Sequence, residues 1–436
     1  MAMNFFYANI EFFVFILFMA LFLVYKRKHI KISGKYPSLY MVMYHTRLGL
    51  DKMKKWSKNY PKFFTYLSYF SIFIGVVGIF ASTIFMFYQL NFIVDKGLTA
   101  GGGMVLPIKT EAGLNSTVPV FYVPFWYWLI ALFVLIIVHE FAHGVIAEKW
   151  KIKVKSSGLA FGGAGIIGVL VILYQLYNYF VNSIFDLGLI FFGVVLLFLP
   201  IMPAAFVEPD EKSLKKAKWW KQIAVLGAGS MSNFIFGFLF FLLAVFVANP
   251  LGTATTEISE INFYGVDNLS GFTEYNISNG QILAINDVVN KGQIMEKIVD
   301  LEKDTKYNLT IKSGNNTNVY EIVTIENKNN PDKGMLGIFN VKKKYEPKEG
   351  YKYLGQFAMS FSELVWWIWL LNIGIGIMNL LPIWITDGGQ ITYVLLKRKF
   401  NEKRAAMFFN IISFVVLALI IFTLKPSLLF YIIGLI

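Results

Sequence analysis

The chain has 436 residues, 56% of them hydrophobic and 17% aromatic, with a mean hydropathy of +0.56, more than a soluble core of that length requires, and it reads as a polytopic membrane protein. Its formal charge is +13, but Lys and Arg gather in loops beside apolar runs, where they set orientation, so nucleic acid is rejected as a partner. Cysteine is absent, which excludes disulfides, thiolate metal ligands and a cysteine nucleophile.

Apolar runs fall near residues 5–25, 65–92, 124–147, 222–248, 357–382 and 405–424, with two further stretches inside 159–206, so about six to eight transmembrane helices are expected. The first run lacks a basic leader and is followed by Lys26-Arg27-Lys28, the order of a retained anchor rather than a signal peptide. Residues 26–62 carry eleven Lys/Arg against one acid, Asp51, which places that loop in the cytoplasm. Alternating from there, the second span exits, residues 96–123 lie outside, and the third returns with His139 and His143 near its cytoplasmic end. Lys149, Lys151, Lys153 and Lys155 follow at once, the basic loop that alternation demands.

Residues 159–206 open on a glycine-rich run, Gly158 to Gly165, and their apolar stretches are split at Asn182-Ser183 and Asp186. They form either two spans or a re-entrant element, since irregular backbone at membrane depth must be buried in protein or line a wet cavity. The chain therefore divides into N-terminal helices with a basic loop (1–95), a first core part (124–249), a polar insert (250–352) and a second core part with a C-terminal helix (353–436).

The insert holds 12 Lys/Arg and 14 Asp/Glu and is long enough to fold alone, on the extracytoplasmic side. Residues 281–286 alternate as a strand, 291–302 suit a helix, and 306–312 with 318–325 suit paired strands around Ser313-Gly314-Asn315-Asn316. This pattern, with the run Asn279 to Asn286, resembles a PDZ domain. Sequons at Asn115, Asn268, Asn276, Asn308 and Asn315 all fall in segments assigned to the outside.

The chemistry concentrates in His139-Glu140-Phe141-Ala142-His143. Residues four apart share a helix face, so both imidazoles can meet one ion with Glu140 beside it. Ionisable groups within an apolar span are costly and mark function. A catalytic zinc needs a third protein ligand, and without cysteine a carboxylate must serve. Asp387, in Asn379-Leu380-Leu381-Pro382-Ile383-Trp384-Ile385-Thr386-Asp387-Gly388-Gly389, is delivered to the same side as the two His, before Lys397-Arg398-Lys399. Glu11, Asp186 and Glu363 are the other acids in or beside apolar runs, and Glu11 and Glu363 are expected near the outer face. Pro382 should end or kink its helix, leaving unpaired backbone with which an extended substrate can pair.

These residues resemble the site-2 protease family of intramembrane metalloproteases, in an archaeal or bacterial form with a PDZ-like insert. The metal helix and the later Asp-Gly element occur in order, and Gly229-Ser230-Met231-Ser232-Asn233 is similar to the family's Gly-x-x-x-Asn element. The resemblance covers most of 124–400. It implies one Zn²⁺ per chain held by His139, His143 and Asp387, Glu140 activating water, and Asn379 and Asn233 helping to hold substrate or the oxyanion. Its partners would be transmembrane protein substrates, the bilayer, and a peptide or partner tail at the PDZ-like insert. Phe206 to Asp210 also resembles the stretch after the family's re-entrant sheet, although roughly thirty apolar residues, 170–200, precede it here. A PDZ-bearing scaffold with a structural metal and a metal transporter are the competing readings.

Overall fold

The computed structural model describes residues 9–34, 39–95, 104–106, 120–182, 202–267, 269–327 and 330–424, with isolated positions between 183 and 201 and after 424. Its elements, in chain order, are α1 (Ile10–Tyr25), β1 (Ile30–Gly34), β2 (Leu39–Thr46), α2 (Leu50–Asn59), α3 (Pro61–Asp95), β3 (Met104–Leu106), β4 (Val120–Tyr122), α4 (Phe125–Lys149), β5 (Val154–Ala164), α5 (Gly165–Asn182), β6 (Met202–Pro209), α6 (Glu211–Lys216) and α7 (Trp219–Leu243). After a π-helical turn follow α8 (Asn249–Thr255), β7 (Thr256–Tyr264), β8 (Asn279–Ile285), α9 (Lys291–Val299), β9 (Lys306–Ser313), β10 (Asn316–Val323), β11 (Ile325–Asn327), β12 (Asn330–Met335), β13 (Lys342–Pro347), α10 (Lys352–Met378), α11 (Asp387–Lys399) and α12 (Glu402–Leu424).

Five helical stretches among the described residues are long and apolar enough to cross a membrane: Pro61–Asp95, Phe125–Lys149, Trp219–Thr255, Lys352–Met378 and Glu402–Leu424. They match five of the six expected spans. Of the first expected span, residues 5–25, the described part is the 16 residues of α1, and residues 5–8 lie outside the described residues. The chain forms two compact units, one of residues 1–241 with 366–436 and one of residues 242–365.

In the first unit the helices approach through small side chains, which drive packing where lipid is as apolar as leucine. Ser71 Oγ of α3 donates to the Ala224 carbonyl of α7 at 2.8 Å. One residue type fits at Gly227, because a Cβ there would overlap the Ser71 carbonyl oxygen. Four helix ends meet at one level: Trp150 and Trp220 stack edge to face at 4.7 Å, Trp220 lies over Tyr69, and Arg398 sits 3.9 Å from the Trp219 ring.

The basic loop is more than a loop. β1 and β2 form a hairpin that continues through β5 to β6 in a four-stranded antiparallel sheet, order β1-β2-β5-β6. The ends of 159–206 are paired strands, with Leu159 opposite Ala205, and α5 follows the first of them. Most of 183–201, including Asp186, lies outside the described residues. The amphipathic α2 packs on α4 through Met53 beneath Gly144 and Trp56 against Phe141, ring centroids 5.2 Å apart.

The second unit holds a five-stranded antiparallel sheet, order β10-β9-β8-β7-β13, around a core of Ile261, Phe263, Phe272, Ile282, Ile285, Ile294 and Leu309. The expected strands and hairpin within 281–325 and the helix at 291–299 are all present. Asn290 caps that helix, its side chain accepting from the Gln293 amide. Of the sequons, Asn276, Asn308 and Asn315 lie in this unit, whereas Asn115 and Asn268 are outside the described residues.

Candidate metal centre

Helical spacing sets His139 and His143 on one face of α4, both buried, with their Nε2 atoms 3.1 Å apart. Asp387 Oδ2 lies 3.2 Å from the first and 3.4 Å from the second. The carboxylate arrives through a tight turn. α10 stops at Met378, ahead of Pro382, and Thr386 caps α11, its Oγ1 accepting from the Gly389 amide at 3.1 Å. The Gly388 amide donates to the Asn379 carbonyl at 2.8 Å. A side chain at Gly388 would overlap the Leu380 carbonyl and one at Gly389 the Ile383 carbonyl. The Asp-Gly-Gly run is thus what lets Asp387 stand at the helix start with the turn folded against it.

That turn is the unwound backbone expected from Pro382, and it is only partly paired. The carbonyls of Leu381 and Ile383 accept from Thr386 Oγ1 and that of Pro382 from Ser413 Oγ. Side-chain hydroxyls, which a sequence reading for strand pairing does not count, take up these three acceptors, whereas the backbone groups of Trp384 and Ile385 make no hydrogen bond among the described residues.

The three donor atoms fit a metal. A tetrahedral zinc with ligands at about 2.0–2.1 Å has ligand-to-ligand edges of roughly 3.3 Å, and the observed edges are 3.1, 3.2 and 3.4 Å. Asp387 Oδ2 is buried without an aligned hydrogen-bond partner despite its two nitrogen neighbours, as expected where lone pairs converge on a common point. Among the described residues these three are the only group of this kind. Glu11, in the first turn of α1, and Glu363, on α10, do not join it.

Glu140 stands beside the group, its Oε2 accepting from the Val207 amide of β6 at 2.7 Å. β6 is the edge of its sheet, so this N–H points away from β5 and toward α4. Sequence reasoning missed this partner because a backbone amide carries no signature.

α7 lines the other side with one stripe at four-residue spacing. The Val225 carbonyl accepts from His143 Nδ1 at 2.6 Å. Gly229 lies flat against the rings, and a Cβ there would overlap both imidazoles. Asn233, 0% exposed, places its amide 3.1 Å from His139 Nδ1. The Gly-x-x-x-Asn spacing thereby has a physical account: clearance at one position, a polar group one turn on. Asn379 lies in the turn before Asp387, half-buried, and its backbone rather than its side chain is engaged.

Residues 127–423 match peptidase family M50. An uncharacterized protein of Methanocaldococcus jannaschii is similar, at 25% identity over 339 residues, 76% of this chain and 73% of that protein. With 297 of 436 residues inside the family match, this chain belongs to peptidase family M50, the site-2 protease family of membrane-embedded metallopeptidases.

Proposed function

We propose that the protein hydrolyses peptide bonds within or beside transmembrane segments of other membrane proteins, using one zinc ion. The observation that carries this is the convergence of His139, His143 and Asp387 among apolar spans with Glu140 alongside. Bound zinc would supply a Lewis acid that acidifies a water and polarises the scissile carbonyl. Glu140 takes the proton of that water and passes it to the leaving amine. The Val207 amide holds its carboxylate in place for both transfers.

The site would lie on the cytoplasmic side of the bilayer, and residues 250–352 on the other. The Trp–Arg–Lys cluster of Trp150, Trp219, Trp220, Lys221 and Arg398 has the make-up of an interfacial belt. His143 lies seven residues before Trp150, about 10 Å along α4, and Asp387 eleven before Arg398, about 16 Å along α11. Those intervals support a metal inside the hydrocarbon layer. A substrate helix must unwind there before attack, because its peptide groups are otherwise paired internally. The edge of β6 away from β5, with the outward backbone of Ala205, offers such a strand a pairing partner beside Glu140. The sheet and capped helix of the insert support a PDZ-like module that filters substrates by size or docks them.

The test is incubation of the purified protein and its Glu140→Gln variant with single-span substrates, with and without chelator. Cleavage that vanishes in the variant and with chelator is expected. Cleavage indifferent to both would end the reading.

A further inference from the structure

A polar side chain wholly enclosed within an apolar span is costly unless each of its atoms has a partner. Asn233 has one group facing His139 Nδ1 at 3.1 Å, while its Oδ1 is buried with no partner at all. As placed, the amide NH₂ faces the ring nitrogen, which makes Nδ1 an acceptor and puts the ring proton on Nε2. That arrangement is incompatible with Nε2 as a metal ligand, since a neutral imidazole has one lone pair to offer. Oxygen and nitrogen of an amide are assigned from the hydrogen-bond network. Turning the Asn233 amide by half a revolution makes Oδ1 accept from Nδ1–H and moves the nitrogen to the position Oδ1 held, so the choice between the two is decided by the metal's need for the Nε2 lone pair. The Nε2 lone pair is then free and aimed at Asp387 Oδ2 and His143 Nε2.

His143 supplies the comparison. Its Nδ1 faces a carbonyl, that of Val225 at 2.6 Å, which can only accept; His143 is therefore held with Nδ1 protonated and Nε2 bare. Val225 and Asn233 sit two helical turns apart on α7, on either side of the clearance at Gly229. A backbone carbonyl fixes one ring and a side-chain carbonyl fixes the other.

We infer that Asn233 is a positioning residue whose side-chain oxygen fixes the tautomer and orientation of His139 for metal binding, rather than a group that holds substrate. Partners of this kind change metal affinity by about 10- to 100-fold. The inference rests on the metal site proposed above and is independent of peptide hydrolysis.

The experiment measures zinc affinity by chelator competition, and the cobalt absorption spectrum, for the full chain in detergent. The proteins are wild type, Asn233→Leu, Asn233→Asp and His139→Ala, each with melting of its metal-free form recorded. Asn233→Leu keeps the branched shape, with somewhat more bulk, and removes the acceptor; its affinity should fall about 10- to 100-fold with an altered cobalt spectrum. Asn233→Asp keeps an acceptor but has no NH₂, and should bind zinc at least as tightly as wild type. Wild-type affinity in Asn233→Leu, or equal losses in both variants, would overturn the inference. A wild-type protein that binds no better than His139→Ala would instead overturn the metal site itself.

Discussion

Replacing Gly229 with alanine adds one methyl group at the point where α7 touches both imidazoles. The added carbon would overlap His139 at Cε1 and Nε2 and His143 at Nε2, and neither ring can retreat, because Val225 and Asn233 hold their far nitrogens. Overpacking of this kind costs about 1–3 kcal/mol. Its relief requires moving the ligand atoms themselves, so the strain should appear in metal affinity, as a loss of about 5- to 150-fold at roughly 1.4 kcal/mol per factor of ten. Zinc titration against a competing chelator measures it, with Gly252→Ala as the control, since a Cβ there meets nothing within 4 Å. Wild-type zinc affinity in Gly229→Ala would refute the proposed closeness of α7 to the metal ligands.

Asp387→Asn removes the one anionic ligand and should abolish stoichiometric zinc by elemental analysis, whereas Glu140→Gln should retain the metal and lose about 10²–10⁴ in turnover. Ser71→Ala removes the hydroxyl that joins α3 to the Ala224 carbonyl and should lower stability in detergent by about 0.6 kcal/mol, the average for such bonds between membrane helices, read as a shift in thermal unfolding. Ile282→Ala hollows the core of the insert, should cost about 2–5 kcal/mol, and would show as rapid proteolysis confined to residues 256–347. Asp210, cap of α6, is held below the usual carboxylate range chiefly by the Lys155 ammonium and then by the Ser213 amide. A depressed carboxyl stabilises above its unfolded pKa and loses that contribution as pH falls through the folded value. Amide exchange at Ser213 should therefore rise only in acid below about pH 4, and Asp210→Asn should erase the dependence; a transition near neutrality would contradict it.

The spans were legible because a bilayer imposes one long apolar run for each crossing, and His139 to His143 because four-residue spacing is a local property of one helix. Asp387 was legible as an acid in a turn after a long apolar run, and the fold brings it within 3.4 Å of both imidazoles. The four-stranded sheet was not. Leu39 to Thr46 is nearly all apolar or aromatic and shows no two-residue alternation, and its partner β5 begins more than a hundred residues later. Counting charges in 26–62 served an expectation about the side of the membrane and hid the strands. The unwound turn at 379–386 was legible from Pro382, whereas the pairing of its Leu381, Pro382 and Ile383 carbonyls depends on Thr386 and on Ser413 from α12. Asn233 could be found by motif, but only its amide 3.1 Å from His139 Nδ1 points to a role at that ring.

The stripe on α7 also bears on how a substrate would enter under the proposed function. The seam between α4 and α7 is stitched by a ring nitrogen at Val225 and another at Asn233, and the ligand set fastens α4 to the start of α11. Opening either seam would disturb the metal group proposed above. The flank of α4 facing β6 is joined at Glu140 by one hydrogen bond, and under the proposed function substrate entry there would release the Val207 amide from Glu140 until the substrate is seated. A crosslink from α4 to α7 should leave turnover intact, and one from α4 to β6 should lock the protein shut.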